Sequence, residues 1–396
     1  MTGLRFLTAG ESHGPELVTI VEGLPAGVPM SIDALDRDLV RRQAGYGRGA
    51  RSTKIERDRA QVVSGLAGGM TTGAPLALRI VNRDFANQPA VPRPLTTPRP
   101  GHADLAGRIK YGLADFRTVR ERASARETAA RVAAGSVARQ LLASFDVWLG
   151  SVVTAVGTVT ARPDTGNGGS AGFGLDELDP AALRALCESA EDDPLRCPDP
   201  AASTAMRRAV DEARVDGETL GGVFWVVATG VPAGLGSYVH WDRRLDGRLA
   251  QALCSIHAVK GAEIGPAFEL AAAPGSAAQD PIEWRAGRIG RPTNHAGGIE
   301  AGVTNGEPIL VRAAMRPLSS IRSSIASVDF RSGDPADPPY VRTDICAVPA
   351  AAVVGEAMVA WVLAAALVER FGSDRLDAML AGYAAVLGAD LPGGAG

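Results

Sequence analysis

The sequence predicts one soluble domain of mixed helices and strands, built from many short elements joined by long ordered loops. Three observations carry this expectation. Hydrophobic residues make up 46 % and charged residues 21 % of 396 residues, with a formal charge of -3, the balance of a globular chain long enough to bury a large core. The 47 glycines and 26 prolines punctuate the apolar runs. No stretch has the composition of a linker, and no repeat of fixed period is present, so one compact domain over residues 1–396 is favoured over two, with the last few residues disordered. The absence of a basic excess and an aromatic content of only 5 % argue against a nucleic-acid surface. No apolar run follows a positive segment at the N-terminus, and Ala347 to Val368, interrupted by Gly355 and Glu356, reads as a buried helix; no membrane association is expected. Cys187, Cys197, Cys254 and Cys346 show no metal-ligand spacing and no disulfide framework, which suits a reducing cytoplasm and predicts no metal.

Taken in order, Leu4, Phe6 and Leu7 lead into Gly10-Glu11-Ser12-His13-Gly14, and Leu17 to Val21 follows, so His13 sits in a glycine-bounded turn between two strands. An imidazole there can reach a ligand and exchange a proton near neutral pH; the alternative is a turn histidine facing water. Ser31 reads as the cap of a helix with Ile32, Leu35 and Leu39 on its apolar face, Asp33 and Asp36 in its first turn and Arg41 and Arg42 at its end. The loop Gln43 to Arg51 is glycine-rich and basic, suited to wrapping Arg48 around a phosphate or carboxylate, or else simply a solubilising surface loop. Val62-Val63 and Pro75 to Val81 read as strands around a turn region, Gly65 to Gly73. Asp84 to Pro100 is a proline-stiffened loop leading to His102, a second histidine in a second stiff turn.

From Arg120 to Phe145 the pattern is one long alanine-rich helix, able to approach its neighbours closely, with Ser124 as a plausible cap and Arg122 and Arg126 beside it. Val147 to Thr160 reads as one or two strands, Ala161 to Gly174 as an exposed loop, and Pro180 to Ser189 and Ala201 to Gly217 as outer helices. Val223 to Ala228 is too apolar for a solvated face. A helix from Asp246 to Ile256 ends at His257-Ala258, the glycine-rich segment Thr293 to Gly306 precedes a strand Ile309 to Met315, and two helices close the chain. Neither a dinucleotide fingerprint nor a Walker sequence is present. The arginines at 42, 48, 122, 126, 316 and 342 recur in loops and at element ends, as an internal anion site assembled from distant segments requires. An enzyme acting on a phosphorylated or carboxylated metabolite is therefore favoured over a nucleic-acid binder or a scaffold.

The motifs allow a more specific expectation. Gly10-Glu11-Ser12-His13-Gly14, Arg122-Ala123-Ser124-Ala125-Arg126-Glu127-Thr128 and Arg342-Thr343-Asp344-Ile345-Cys346-Ala347-Val348-Pro349 resemble, in this order, the three signatures of the chorismate synthase family. Pro100 to Asp104, Asp216 to Gly222 and Asn305 to Glu307 are further family-like segments. The resemblance implies an α+β fold, a β-α-β sandwich with sheets inside and helices outside, and a homotetramer. It implies a phosphate lyase of the shikimate pathway that converts 5-enolpyruvylshikimate 3-phosphate to chorismate by 1,4-anti elimination, with reduced FMN as cofactor. NADPH enters as an indirect reductant through an external flavin reductase, because no extra nicotinamide module is recognisable. The alternative is a paralogue that binds a related ligand without forming chorismate.

By the same resemblance His13 is the acid near the departing phosphate, His102 protonates or hydrogen-bonds the flavin, and Asp344 assists removal of the ring proton. Substrate contacts fall to Ser12, Arg42, Arg48 and Arg126. Flavin contacts fall to Arg122, Ala123, Ser124, His257, Ala258, Ala301, Arg316, Pro317, Leu318, Ser319, Ser320 and Arg342. His257 stands where relatives commonly carry glutamine or proline, Ala301 where glycine is usual and Arg316 where lysine is usual, so flavin affinity or pose can differ here.

Overall fold

The structure is a computed structural model that describes residues 3–49, 57–87, 94–161, 174–285, 288–323, 325–340, 343–372 and 374–389. Arg51, Arg342, most of the loop from Ala161 to Gly174, part of the loop from Asp84 to Pro100, and the last residues lie outside the described residues. A first antiparallel sheet orders its strands Arg5–Ala9, Glu16–Glu22, Leu76–Val81 and Ala60–Ser64. Alternation sets its buried face: Leu17, Thr19 and Val21 pair with Ile80, Leu78 and Leu76, and all six are buried. A second antiparallel sheet orders Val259–Ile264, Ile309–Met315, Gly222–Thr229, Trp148–Val156 and Val159–Thr160. Its middle strand is buried from Phe224 to Thr229, on both faces of the sheet, as its unbroken apolar run predicts.

Helices fill the space between the sheets. Ser31 caps Ile32–Gln43 by accepting from the Ala34 amide at 3.2 Å. Thr128–Ala143 packs on the first sheet and on Val348–Phe371, which in turn packs on the second sheet. Every residue from Val348 to Val368 is buried, so this run is a core helix, although it is long and apolar enough to cross a membrane. Its two neighbours approach closely because their facing residues are small. A Cβ on Gly135 would lie 2.3 Å from the Ala357 Cβ. Gly135→Ala is expected to cost roughly 1–3 kcal/mol through overpacking, read as a lowered urea midpoint; an unchanged midpoint would contradict the close crossing.

The α+β class and its two-sheet sandwich are as the motifs imply, but the layer order differs. Outer helices pack on the second sheet, where Pro180–Glu191 and Pro200–Asp216 lie against Trp148–Val156. The first sheet is an outer layer, with Leu7 62 % and Ile20 40 % exposed on its open face, and the most apolar helices are central. Hydropathy explains this: Val348–Phe371 has no polar stripe to turn to water, whereas the first sheet alternates. Three further differences concern local elements. The expected long helix from Arg120 is three pieces, Phe116–Arg122, a 3-10 turn Ala125–Glu127 and Thr128–Ala143. Ser124 breaks it by adopting extended backbone, φ -75° and ψ 142°, and accepting from the Arg126 amide. A helix Asp104–Tyr111, to which the sequence pattern assigns no element, follows His102 directly, and the turn region Gly65 to Gly73 holds a small hairpin, Leu66–Ala67 with Met70–Thr71.

Candidate active site

The His13 turn is held in place by its neighbours. Gly10, at φ +108°, leaves room for the turn to close: a Cβ there would lie 2.5 Å from the Glu16 carbonyl. The Asn82 amide donates to the Ser12 and Gly14 carbonyls at 3.2 and 2.7 Å. Glu121, at the end of Phe116–Arg122, takes three bonds from the same turn. Its carbonyl accepts from the Ser12 amide at 3.1 Å. Its carboxylate accepts from the His13 amide at 2.7 Å and meets His13 Nδ1 at 2.8 and 2.9 Å. Burial pushes the Glu121 carboxyl up, but the hydrogen bond from His13 and its charge outweigh that and hold it below its ordinary range. With Nδ1 committed to Glu121, any proton exchange with a ligand would fall to Nε2.

His102 sits in a comparable clamp. Its Nδ1 lies 2.6 Å from Asp104 Oδ1, and Arg99 Nη2 lies 3.0 Å from its Nε2. Arginine only donates, so Nε2 accepts and Nδ1 carries the proton shared with Asp104. Asp104 is fully buried; burial raises its carboxyl, and hydrogen bonds from His102 and Arg99 outweigh this to hold it well below the carboxylate range. Arg316 Nη2 donates to the Gly101 carbonyl and pins the turn from the other side.

The break at Ser124 brings the arginines in. The Ser124 hydroxyl donates to Ser12 Oγ at 3.1 Å, and Arg126 pairs with Asp58 at 2.5 Å. Arg42, at the end of its helix, donates through Nε to Thr128 Oγ1 at 2.8 Å and through Nη2 to the Ala125 carbonyl at 2.9 Å. Arg48 and the Gly49 amide hold Asp344 at 2.5 and 2.6 Å. These groups surround a cavity of about 440 Å³, within the roughly 300–1,000 Å³ usual for small-molecule sites. Its floor is apolar: Ala347, Ala350, Ala351 and Val354 of the central helix.

Of the residues singled out from sequence, His13, His102, Asp344, Ser12, Arg42, Arg48 and Arg126 all line this cavity. So do Ala123, Ser124, His257, Ala258, Arg316, Leu318, Ser319 and Ser320. Others are elsewhere. Arg122 turns outward, its guanidinium 48 % exposed and donating to the Thr8 carbonyl at 2.9 Å, so it braces the first strand. Ala301 occupies the two-residue turn of the hairpin Ile299–Glu300 with Val303–Thr304, exposed and at φ +49°, a conformation that favours glycine. Pro317 is not among the lining residues, and Arg342 lies outside the described residues. Sequence reasoning passed over Glu121, Asp104, Arg99, Arg120 and Asp58. Asp104, two residues after His102, and Arg99, three before it, carried a local signal; Glu121, Arg120 and Asp58 act across longer separations.

The buried polar atoms on the cavity wall that have no hydrogen-bond partner among the described residues include His257 Nδ1 and Arg316 Nε. Burial pushes the His257 imidazole down to about 4. A planar, hydrogen-bonding cofactor set between these atoms and the apolar floor fits the residues present.

Comparison with known proteins agrees with this picture. The sequence profile of the family described as chorismate synthase matches residues 4–368. The chain is 52 % identical to a chorismate synthase of Moorella thermoacetica, over 94 % of this chain and 95 % of that one. It is also 52 % identical to a chorismate synthase of Desulforudis audaxviator, over 95 % of each. A solved structure titled as a crystal structure of chorismate synthase superposes with a TM-score of 0.79 at 40 % identity, covering 98 % of this chain and 99 % of the other.

Proposed function

The chain belongs to the chorismate synthase family, and we propose that it is a phosphate lyase converting 5-enolpyruvylshikimate 3-phosphate to chorismate and inorganic phosphate by 1,4-anti elimination. One observation carries the reading: a single cavity gathers two clamped histidines, the arginines 42, 48, 99, 120 and 126, and the carboxylate of Asp344. A substrate with one phosphate and two carboxylates needs that excess of guanidinium, each charge-assisted bond contributing about 1.5–3 kcal/mol. In the elimination a carbon–oxygen bond to phosphate breaks and a ring proton is lost, with no net redox change. His13, oriented by Glu121, donates a proton from Nε2 to the departing phosphate. Asp344, held by Arg48 and Gly49, takes up the ring proton.

Reduced FMN is the cofactor we propose, and the residues that would hold it are His102, His257, Arg316, Leu318, Ser319 and Ser320. When bound it supplies electron density that eases departure of the phosphate. His102, fixed by Arg99 and Asp104, would present a defined tautomer to it, and the alanines of the central helix would help exclude water from the site. We further propose a cytoplasmic homotetramer whose flavin is reduced from outside, by a reductase using NADPH.

The test is anaerobic incubation of the protein with reduced FMN and 5-enolpyruvylshikimate 3-phosphate. Stoichiometric phosphate and chorismate are expected. Ligand binding without either product would instead establish a non-catalytic paralogue. NADPH-driven turnover in the dark without a reductase would overturn reduction from outside.

A further inference from the structure

Arg120 is one of the cavity's arginines, with no ligand atom assigned to it, and its described surroundings do not account for it. Its residue is 9 % exposed, it lines the cavity, and its Nε and Nη2 atoms are buried without a hydrogen-bond partner among the described residues. The nearest carboxylate is Asp104, 3.7 Å from Nη2, beyond hydrogen-bonding distance. Asp104 has no capacity left to offer. Its Oδ1 already accepts from His102 and Arg99 Nη2, and its Oδ2 from the Arg99 amide and Nε, which fills the roughly four acceptor sites of a carboxylate.

The charge balance points the same way. Arg99 and Arg120 face one carboxylate between them, and Arg117 adds a third cation nearby. Burial, then repulsion from Arg99, push the Arg120 guanidinium down to about 10. A buried guanidinium with open donors and cationic neighbours is costly unless an anion completes it.

We propose that Arg120, backed by Arg99, is an oxyanion-binding residue of the cavity that takes a phosphate or carboxylate oxygen pair of a bound ligand. The planar donor edge of arginine suits two oxygens of one group. This deepens the functional reading above and rests on it for the identity of the ligand, which is either the cofactor's phosphate or an anionic group of the substrate.

The experiment compares wild type, Arg120→Gln and Arg120→Lys, each checked for folding by circular dichroism. Inorganic phosphate alone is titrated by thermal shift at constant ionic strength. FMN, riboflavin and 5-enolpyruvylshikimate 3-phosphate are titrated separately. Arg120→Gln is expected to weaken inorganic phosphate and one ligand about tenfold to a hundredfold, with Arg120→Lys between it and wild type. Loss for FMN but not riboflavin places the cofactor's phosphate on Arg120. Loss for the substrate with FMN unchanged places a substrate oxyanion there. Affinities within twofold of wild type for all four probes overturn the inference. Failure of the wild type to release phosphate from the substrate would defeat the functional reading instead, and the inorganic phosphate titration would still decide the role of Arg120.

Discussion

His13→Ala is expected to lower kcat for phosphate release by roughly 10²–10⁴-fold, the range for loss of a positioned general acid, with little change in substrate affinity. The side chain is 33 % exposed, so its removal leaves the core intact and the loss reports on chemistry. Glu121→Gln is expected to give a smaller loss together with a shifted pH profile, because the amide no longer fixes the imidazole by charge. The sign of the accompanying stability effect follows from Glu121. Its folded carboxyl lies below the ordinary range, so the contact stabilises above the unfolded value and is lost as pH falls through the folded one. Anaerobic phosphate release across pH checks both variants; His13→Ala turning over within twofold of wild type would remove His13 from the chemistry.

Glu356→Ala is expected to destabilise the protein by roughly 3–5 kcal/mol, the cost of stripping the counter-charge from a buried ion cluster. Glu356 is fully buried on the central helix and meets Arg41, Arg139 and Arg196, with Ser151 donating at 2.5 Å. Burial raises its carboxyl; the three guanidiniums outweigh this and hold it well below the carboxylate range. The stabilisation is therefore present above the unfolded value and is lost only in strong acid. Arg41 adjoins Arg42, so the cluster also anchors the helix end that presents Arg42 to the cavity. Denaturant unfolding of the variant measures the effect, and a loss below about 1 kcal/mol would show that the arginines relax to solvent.

Local elements were legible wherever one periodicity or one cap decided the outcome. The Ser31 cap, the strand Ile309–Met315 and the buried helix beginning at Val348 all follow from neighbouring residues. The Arg120 to Phe145 segment was misread because its helical periodicity runs through Ser124, and the bond that favours a break, from Ser124 to Ser12, comes from 112 residues away. Ala301 is absent from the cavity lining for a related reason. Its backbone requirement belongs to a hairpin turn, and none of Thr293 to Gly306 lines that cavity.

The sequence by itself determined the composition of the site. The two turn histidines and the arginines at element ends follow from residue type, spacing and local turn chemistry, all short-range properties, while Asp344 and the family follow from the resemblance of the three motifs. Only the tertiary structure decided which carboxylate holds each histidine, that the helices and not the sheets form the centre, and that Arg120 is buried with two nitrogens lacking a hydrogen-bond partner among the described residues. Those are outcomes of packing between segments far apart in the chain, where burial and hydrogen-bond satisfaction, not local propensity, select the arrangement.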